Sequence, residues 1–146
     1  MSTSYTRLYV HLVWGTFERA PALDARRASR VHGLLDRICL ARDCQAYAVG
    51  GIEDHVHVLV ALHPTVAVSD LVRALKVGTS QFIANRLNIP GFSWQEGYGA
   101  YSIRDDDCEV VRRYVREQPL HHARQTLIDA LERTEAPATP RSGVTT

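Results

Sequence analysis

The sequence predicts an α+β domain in which helices pack on an antiparallel β-sheet. Short stretches of alternating apolar and polar residues indicate four strands, and apolar residues at helical spacing indicate three helices. These elements follow one another in the order β-α-β-β-α-β-α. The connection between the second and third strands is short and polar, which favours a hairpin and therefore an antiparallel sheet.

The first half of the chain carries three of the predicted strands. The first strand covers residues 8–14, where apolar and polar side chains alternate. An amphipathic helix is predicted at residues 22–42, because Asp24 favours a helix start and apolar residues then recur every three to four positions. The second and third strands are predicted at residues 45–50 and 55–62.

The second half of the chain begins with a helix predicted at residues 69–87, with Ser69 as its N-cap. Residues 88–99 are rich in Pro, Gly and aromatic side chains, which indicates a structured loop. A short strand is expected at residues 100–103. The three carboxylates of residues 105–107 then favour the start of a last helix, because negative charge stabilises the positive end of a helix dipole.

Length and composition fit a single globular domain. The chain has 146 residues, of which 45% are apolar and 23% charged. We expect one domain over residues 1–134 and a flexible tail over residues 135–146, where no periodicity is visible. No apolar run approaches the ~18 residues of a membrane span, and the N-terminus lacks the apolar core of a signal peptide. A cytoplasmic protein that does not enter the membrane is therefore expected.

The formal net charge of +1 is not that of a strongly basic nucleic-acid-binding protein. Contacts with phosphates would have to come from local clusters of basic side chains. One cluster contains Arg112, Arg113, Arg116 and Arg124, and a smaller one contains Arg73 and Lys76. On charge alone a solvated helix face is the more common explanation of such clusters, and contact with phosphates is the alternative.

The segment DHVHVLV contains the most informative pair of residues in the chain, His55 and His57. Side chains alternate between faces along a strand, so both imidazoles should lie on one face, about 7 Å apart at Cα. Two imidazoles placed in this way can bind one metal ion. Two histidines separated by one residue also occur on ordinary half-exposed strands, so the pattern alone does not decide.

The last predicted helix supplies a candidate nucleophile and a candidate third ligand. Tyr114 and Gln118 are four residues apart and should share a helix face. If that face lies over the histidines, the Gln118 amide oxygen can complete the ligand set. Imidazole and oxygen ligands together suit Mg²⁺ or Mn²⁺. Periodicity alone would make Tyr114 a core residue, in line with the neighbouring valines.

Taken together, several segments resemble one known family. In chain order they are HLVW from His11, DHVHVLV from Asp54, then LVRALK, FSWQEGYGAYSI and VRRYVREQPLHH. Their order and spacing resemble those of the small transposases of the insertion-sequence 200/605 family, single-tyrosine members of the HUH (His-hydrophobe-His) endonuclease superfamily. The resemblance covers roughly residues 5–125 and implies the ferredoxin-like, RRM-like fold of HUH nucleases.

The resemblance also implies roles for the candidate residues. His55 and His57 would bind the metal ion, Gln118 would be the third ligand, and Tyr114 would be the nucleophile. In such enzymes the tyrosine attacks a phosphate in single-stranded DNA, leaves a 5′-phosphotyrosine link and a free 3′-hydroxyl, and can later rejoin the strands. Similar proteins recognise hairpins at the ends of their element. They form homodimers in which one subunit's histidines meet the other's tyrosine helix.

Aromatic residues in or beside the predicted loop offer surfaces on which bases could stack. They are Trp94, Tyr98 and Tyr101. Structural residues that fix a long loop would give the same pattern. The sequence also departs from the family after Lys76, where Val77 replaces the usual glycine. The pair His121-His122 resembles a family feature and carries no assigned catalytic role.

Three other functions compete with a mobile transposase. A domesticated repeat-associated tyrosine transposase would act on hairpins of its host, and genomic neighbourhood would distinguish it. A nucleic-acid-binding relative that no longer cuts would be expected to lack the tyrosine or a histidine. A metal hydrolase built from the histidine pair with His63 or another residue would leave Tyr114 and Gln118 unexplained.

Overall fold

A computed structural model of the protein describes residues 4–124 and 127–135. Its strands are β1 (Tyr9–Gly15), β2 (Gln45–Ile52), β3 (His55–Ala61) and β4 (Gly99–Ile103), and its helices are α1 (Ala25–Ala41), α2 (Val68–Asn85), α3 (Cys108–Arg116), α4 (Gln118–Arg124) and α5 (Asp129–Glu132). The strands form one antiparallel sheet in the order β2-β3-β1-β4. The predicted α+β fold class is confirmed.

The predicted hairpin is formed by β2 and β3, which pair from Gln45 opposite Ala61 to Ile52 opposite His55. Only Glu53 and Asp54 separate the two strands. This tight connection fixes the register of β3, and the register decides which face of the sheet each histidine occupies.

One face of the sheet packs against α1 and α2 and forms the main apolar core. The strand side chains on this face are Leu12, Trp14, Val56, Val58 and Val60, all fully buried. The predicted helix start at Asp24 is present, because its carboxylate accepts a hydrogen bond of 2.9 Å from the Arg27 N–H. This core holds β1 and β3 rigidly, and their other face carries the polar residues.

The opposite face of the sheet packs against α3 and a smaller apolar cluster. That cluster contains Ala48, Leu59, Val111, Tyr114, Val115 and Leu131. The α3 backbone comes so close to β2 that a Cβ atom on Gly50 would lie 1.9 Å from the Val115 carbonyl oxygen. Glycine at this position therefore allows the tyrosine-bearing helix to lie directly on the sheet.

Two details of the helices differ from the prediction. Ser69 is not an N-cap, because α2 begins at Val68 and Ala67 is the N-cap residue. Val66 and Val68 pack against the core, which favours a helix that begins before Ser69. The last predicted helix is interrupted at Glu117, which separates α3 from α4. Pro119 explains the break, since it has no N–H to donate to the preceding turn.

Within residues 4–124 and 127–135, no helix is long and apolar enough to cross a membrane. The predicted tail at residues 135–146 lies outside the described residues except for Glu135. A single domain over residues 1–134 stays a prediction.

Candidate metal centre and nucleophile

The candidate site lies on the sheet face opposite α1 and α2. His55 and His57 lie on the same face, as predicted, with ring centroids 4.9 Å apart. The neighbouring strand β1 adds His11, whose ring centroid lies 5.0 Å from that of His57. His55 is 3% exposed, and His57 and His11 are 0% exposed. Three buried imidazoles therefore share one small region of the sheet.

His55 is oriented from both ends of its ring. Its Nδ1 lies 2.8 Å from Asp54 Oδ1 and donates to that carboxylate, and its Nε2 lies 3.2 Å from Gln118 Oε1. A carboxylate bound to one ring nitrogen directs the other nitrogen toward a metal ion in many metal sites. Burial alone would lower the pKa of His55, but Asp54 and Glu132 outweigh burial and raise the pKa to about 9.

His57 is oriented by His11, whose Nε2 lies 2.9 Å from His57 Nδ1 and 3.1 Å from the Leu131 carbonyl oxygen. Burial lowers the pKa of His57. Burial, with the nearby His57, also lowers the pKa of His11 to about 3. Both rings are therefore neutral at pH 7, which is the form in which an imidazole binds a metal ion.

Two further side chains, His122 of α4 and Glu132 of α5, complete the cluster. His122 Nε2 lies 3.2 Å from His55 Nε2 and 3.1 Å from Gln118 Oε1. Glu132 Oε1 lies 3.6 Å from Nε2 of both His55 and His122, and Glu132 Oε2 lies 2.9 Å from His57 Nε2. Burial would raise the pKa of Glu132, but its contacts with His55 and His57 outweigh burial and lower the pKa.

This cluster fits a divalent metal ion. Ligand atoms of His55, His122 and Glu132 all lie within 4.8 Å of one another, and Gln118 Oε1 lies beside two of them. The buried His57 Nε2 and Glu132 Oε2 lie 2.9 Å apart, so the imidazole and the carboxylate pair with each other. Imidazole nitrogens and carboxylate oxygens of this kind are ligands that a divalent ion can bind.

Tyr114 lies over this cluster in the same chain. Its ring centroid is 6.1 Å from that of His57, with the ring planes nearly perpendicular. Its ring is also 4.7 Å from His121. The residue is 3% exposed, and its hydroxyl accepts a hydrogen bond of 3.0 Å from the Ile128 N–H. Burial raises the pKa of Tyr114, so the hydroxyl is protonated at neutral pH.

Tyr114 and Gln118 remain neighbours although they do not share one uninterrupted helix. The Gln118 Nε2 donates to the Tyr114 carbonyl oxygen at 3.4 Å, which turns Gln118 Oε1 toward His55. The structure therefore brings together the four residues singled out in the sequence: His55, His57, Tyr114 and Gln118.

The basic residues considered for DNA contact lie in different places. Arg113 and Arg116 are exposed on α3, the helix that carries Tyr114, and Arg112 is half-buried with Glu109 at 3.8 Å. Arg73 is exposed on α2, which packs on the other face of the sheet. The sheet therefore separates Arg73 from the histidines.

The remaining candidates for DNA contact hold the loop before β4 in place. Lys76 Nζ donates to the carbonyl oxygens of Gln95 and Gly97 at 2.8 and 2.6 Å. Trp94 is 8% exposed and donates its indole N–H to Thr79, so this conformation leaves no ring face open for a base. Tyr98 is half-buried against the core. Tyr101, considered with them for stacking, donates its hydroxyl to the Arg133 carbonyl oxygen.

Three residues of the cluster could not be identified as site residues from the sequence. His11 was noted only as part of the first strand, and His122 was noted without a role. Glu132 gave no signal, because it lies beyond the last predicted helix, in a stretch where no element is predicted. Asp54 was part of the histidine motif, and its position next to His55 was the one available sign of an orienting carboxylate.

Comparison with known proteins agrees with the resemblance read from the sequence. Residues 4–118 match the family of IS200-like transposases. The ISDra2 transposase TnpA of Deinococcus radiodurans is 24% identical over 118 residues, which cover 77% of this chain and 84% of that protein.

Two solved structures share the fold. A candidate transposase of Deinococcus radiodurans superimposes with a TM-score of 0.64 at 22% identity, covering 79% of this chain and 93% of its own. A REP-associated tyrosine transposase bound to a REP hairpin gives a TM-score of 0.62 at 15% identity, covering 84% of this chain and 73% of its own.

Proposed function

The chain belongs to the family of IS200-like transposases, and we propose that it cleaves and rejoins single-stranded DNA through a 5′-phosphotyrosine intermediate. The observation that carries this proposal is the convergence of one phenol on a buried cluster of metal-ligating groups. Tyr114 lies with its ring centroid 6.1 Å from that of His57, and Gln118 connects its backbone to His55.

In this proposal Tyr114 is the nucleophile, and His55, His57 and Gln118 hold Mg²⁺ or Mn²⁺. The ion would polarise the phosphate and stabilise the charge that develops during attack. The protein's own contribution is orientation: Asp54 fixes the His55 ring and His11 fixes the His57 ring. A site built from buried, hydrogen-bonded rings on two packed strands loses little entropy when it binds its ion.

The chemistry requires activation of the phenol. The Tyr114 hydroxyl loses its proton as its oxygen bonds to phosphorus, the bond from phosphorus to the 3′ oxygen breaks, and that oxygen takes up a proton to become the free 3′-hydroxyl. Because a phosphodiester is exchanged for a phosphotyrosine ester, the strand can be rejoined without a nucleotide cofactor. The raised pKa of Tyr114 makes unassisted attack slow at neutral pH, so cleavage should depend strongly on the metal ion.

The proposed DNA partner is a single strand that folds into hairpins, bound with help from Arg112, Arg113 and Arg116 of α3. The hairpin bound to the REP-associated tyrosine transposase supports this class of partner. A homodimer with composite active sites is also proposed. Two subunits could exchange the segment that carries α3 and α4. The contact between Tyr114 and His57 would then be kept, but the two residues would come from different chains.

A cleavage assay tests the proposed function. The protein is incubated with end-labelled single-stranded hairpin DNA and Mn²⁺, and covalent adducts are separated on a denaturing gel. Wild type should form an adduct, and chelation with EDTA should abolish it. Tyr114→Phe should retain hairpin binding and lose the adduct, with cleavage reduced on the order of 10⁴-fold or more.

His63→Ala is the matched control for the metal ligands, because His63 is a histidine near the end of β3 that contacts Thr65 instead of the cluster. It should cleave as wild type does, whereas His57→Ala should not. An adduct that persists in Tyr114→Phe would assign the nucleophile elsewhere and overturn the mechanism. Loss of activity in His63→Ala with normal activity in His57→Ala would favour a different metal site.

A second candidate function is cleavage of hairpins that belong to the host genome, as a domesticated transposase. It is favoured by the similarity to the REP-associated tyrosine transposase, which is nearly equal in TM-score to the other solved relative. The two functions share the same chemistry. They are separated by sequencing the DNA around the gene: a mobile element would be flanked by subterminal hairpins and present in several copies.

A further inference from the structure

Residues 127–135 are called the C-terminal segment here. They contact both Tyr114 and the histidines of the site. The Ile128 N–H donates to the Tyr114 hydroxyl at 3.0 Å. The Leu131 carbonyl accepts from His11, and Thr134 Oγ1 accepts from Gln95 at 3.0 Å. The segment thereby encloses both the phenol and the histidines.

Glu132 projects from the C-terminal segment into the middle of the imidazoles. Its Oε2 lies 2.9 Å from His57 Nε2, and its Oε1 lies 3.6 Å from His55 and His122 Nε2. It is the one carboxylate of the described chain whose oxygens lie among the Nε2 atoms of these three rings. The same three imidazoles therefore surround a single negative charge.

We propose that Glu132 is a ligand of the divalent ion in the DNA-free protein, at the coordination position that a DNA phosphate takes during cleavage. This inference rests on the metal centre of the proposed function. Donor atoms of one octahedral ion with bonds of about 2.1 Å lie about 3.0 Å apart along an edge. The contacts of Glu132 with the three imidazoles, and of Gln118 with His55 and His122, run from 2.9 to 3.6 Å, close to that edge length.

The chemistry of the carboxylate supports both parts of the proposal. A carboxylate is a hard, negatively charged oxygen ligand of the kind that Mg²⁺ and Mn²⁺ prefer. A phosphate oxygen has the same hardness and sign of charge, so it can replace the carboxylate on the ion. Two anions side by side would repel each other, which makes exchange more favourable than addition.

DNA cannot reach Tyr114 while Glu132 is bound at the site, so Glu132 must leave before cleavage. The phenol is almost fully buried, and the Ile128 N–H already occupies its oxygen. DNA therefore reaches the nucleophile only when the C-terminal segment moves away. The segment is suited to this because α5 has four residues and Leu131 is its one buried side chain, while Leu127 and Ile128 are 40% and 41% exposed.

The affinity for Mn²⁺ in the absence of DNA tests whether Glu132 is a ligand of the ion. Mn²⁺ binding to the purified full chain is measured by electron paramagnetic resonance for wild type, Glu132→Gln and the control Glu135→Gln, which changes an exposed residue three positions away. Glu132→Gln should weaken Mn²⁺ binding by about tenfold to hundredfold, and Glu135→Gln should bind as wild type does. Equal Mn²⁺ affinity of Glu132→Gln and wild type would overturn the proposal.

DNA affinity tests the exchange. Hairpin DNA binding is measured at saturating Mn²⁺ in the Tyr114→Phe background, in which no strand is cut. Adding Glu132→Gln should tighten DNA binding several-fold, because the competing carboxylate is gone, and adding Glu135→Gln should leave it unchanged. Unchanged or weaker DNA binding with Glu132→Gln would contradict the exchange.

A third variant separates failure of this inference from failure of the proposed function. His57→Gln should lose Mn²⁺ binding if the metal centre exists at all. Wild type that binds Mn²⁺ no better than His57→Gln would overturn the metal centre and this inference together. A clear difference between those two proteins, with Glu132→Gln equal to wild type, would overturn the role of Glu132 alone.

Discussion

The two faces of the sheet are made by the same strands and have opposite characters. Along β3, Val56, Val58 and Val60 enter an apolar core, while His55 and His57 enter a polar cluster on the other side. Both sets are buried. The apolar face is buried under two long helices, whereas the polar face is buried under α3, α4 and a short segment near the end of the chain.

The difference shows how strand alternation separates stability from chemistry. The apolar face gives β1 and β3 their fixed positions, and the polar face uses those positions to hold imidazoles with few alternative rotamers. Substitutions on one face should therefore change unfolding, and substitutions on the other should change metal and DNA binding.

The largest expected effect is a contrast between one residue on each face. His57→Gln should lower Mn²⁺ affinity at least about hundredfold, because it removes a buried ligand. Leu12→Ala, on the apolar face, should lower the free energy of unfolding by about 2–5 kcal/mol and leave the Mn²⁺ affinity of the folded protein unchanged. Calorimetric titration with Mn²⁺ and urea denaturation check the two halves. Similar losses of metal affinity in both variants would refute the division.

A second test concerns the close contact between β2 and α3. Gly50→Ala places a methyl group against the Val115 carbonyl, so α3 must move away from β2 or the strand must bend. We expect a loss of about 1–3 kcal/mol in stability, typical of overpacking, together with a strong loss of cleavage because Tyr114 shifts with α3. Gly33→Ala is the control, since a Cβ there meets nothing within 4 Å. Normal cleavage in Gly50→Ala would contradict the requirement for this close approach.

Much of this division follows from the sequence, because alternation along β1 and β3 predicts both the apolar face and the common face of His55 and His57. The tyrosine helix could be placed only through the resemblance, since its contact with β2 joins distant parts of the chain. The break at Glu117 had a visible cause in Pro119. Glu132 could not be found, because a four-residue helix has no periodicity and its partners His55 and His57 lie more than seventy positions earlier.

A third, smaller effect concerns pH. The pKa of His55 is raised to about 9 in the metal-free protein, so an incoming ion must displace a proton. Mn²⁺ affinity should therefore rise about tenfold per pH unit from pH 7 and level off near pH 9. Because a raised histidine pKa stabilises the fold only while the ring is protonated, metal-free stability should fall between about pH 6.5 and 9. Calorimetric titrations and denaturation at several pH values measure both trends. Mn²⁺ affinity that does not change over this range would be inconsistent with a protonated His55.

The smallest expected effect concerns the exposed charges near the polar face. Arg113→Gln and Arg116→Gln should each weaken hairpin DNA binding several-fold and reduce the salt dependence by about one counterion. Arg37→Gln, an exposed arginine on α1 across the sheet, is the control and should bind DNA as wild type does. Fluorescence anisotropy at several salt concentrations measures this. An equal loss in all three variants would mean that DNA is not confined to the polar face.

The most direct test of the account is to identify the residue that becomes linked to DNA. The covalent adduct formed with Mn²⁺ is digested with trypsin, which releases residues 114–116 as the peptide Tyr-Val-Arg. Mass spectrometry should find the nucleotide on that peptide and not on the other tyrosine-containing peptides. A nucleotide on any other peptide would contradict the assignment of Tyr114 and with it the proposed active site.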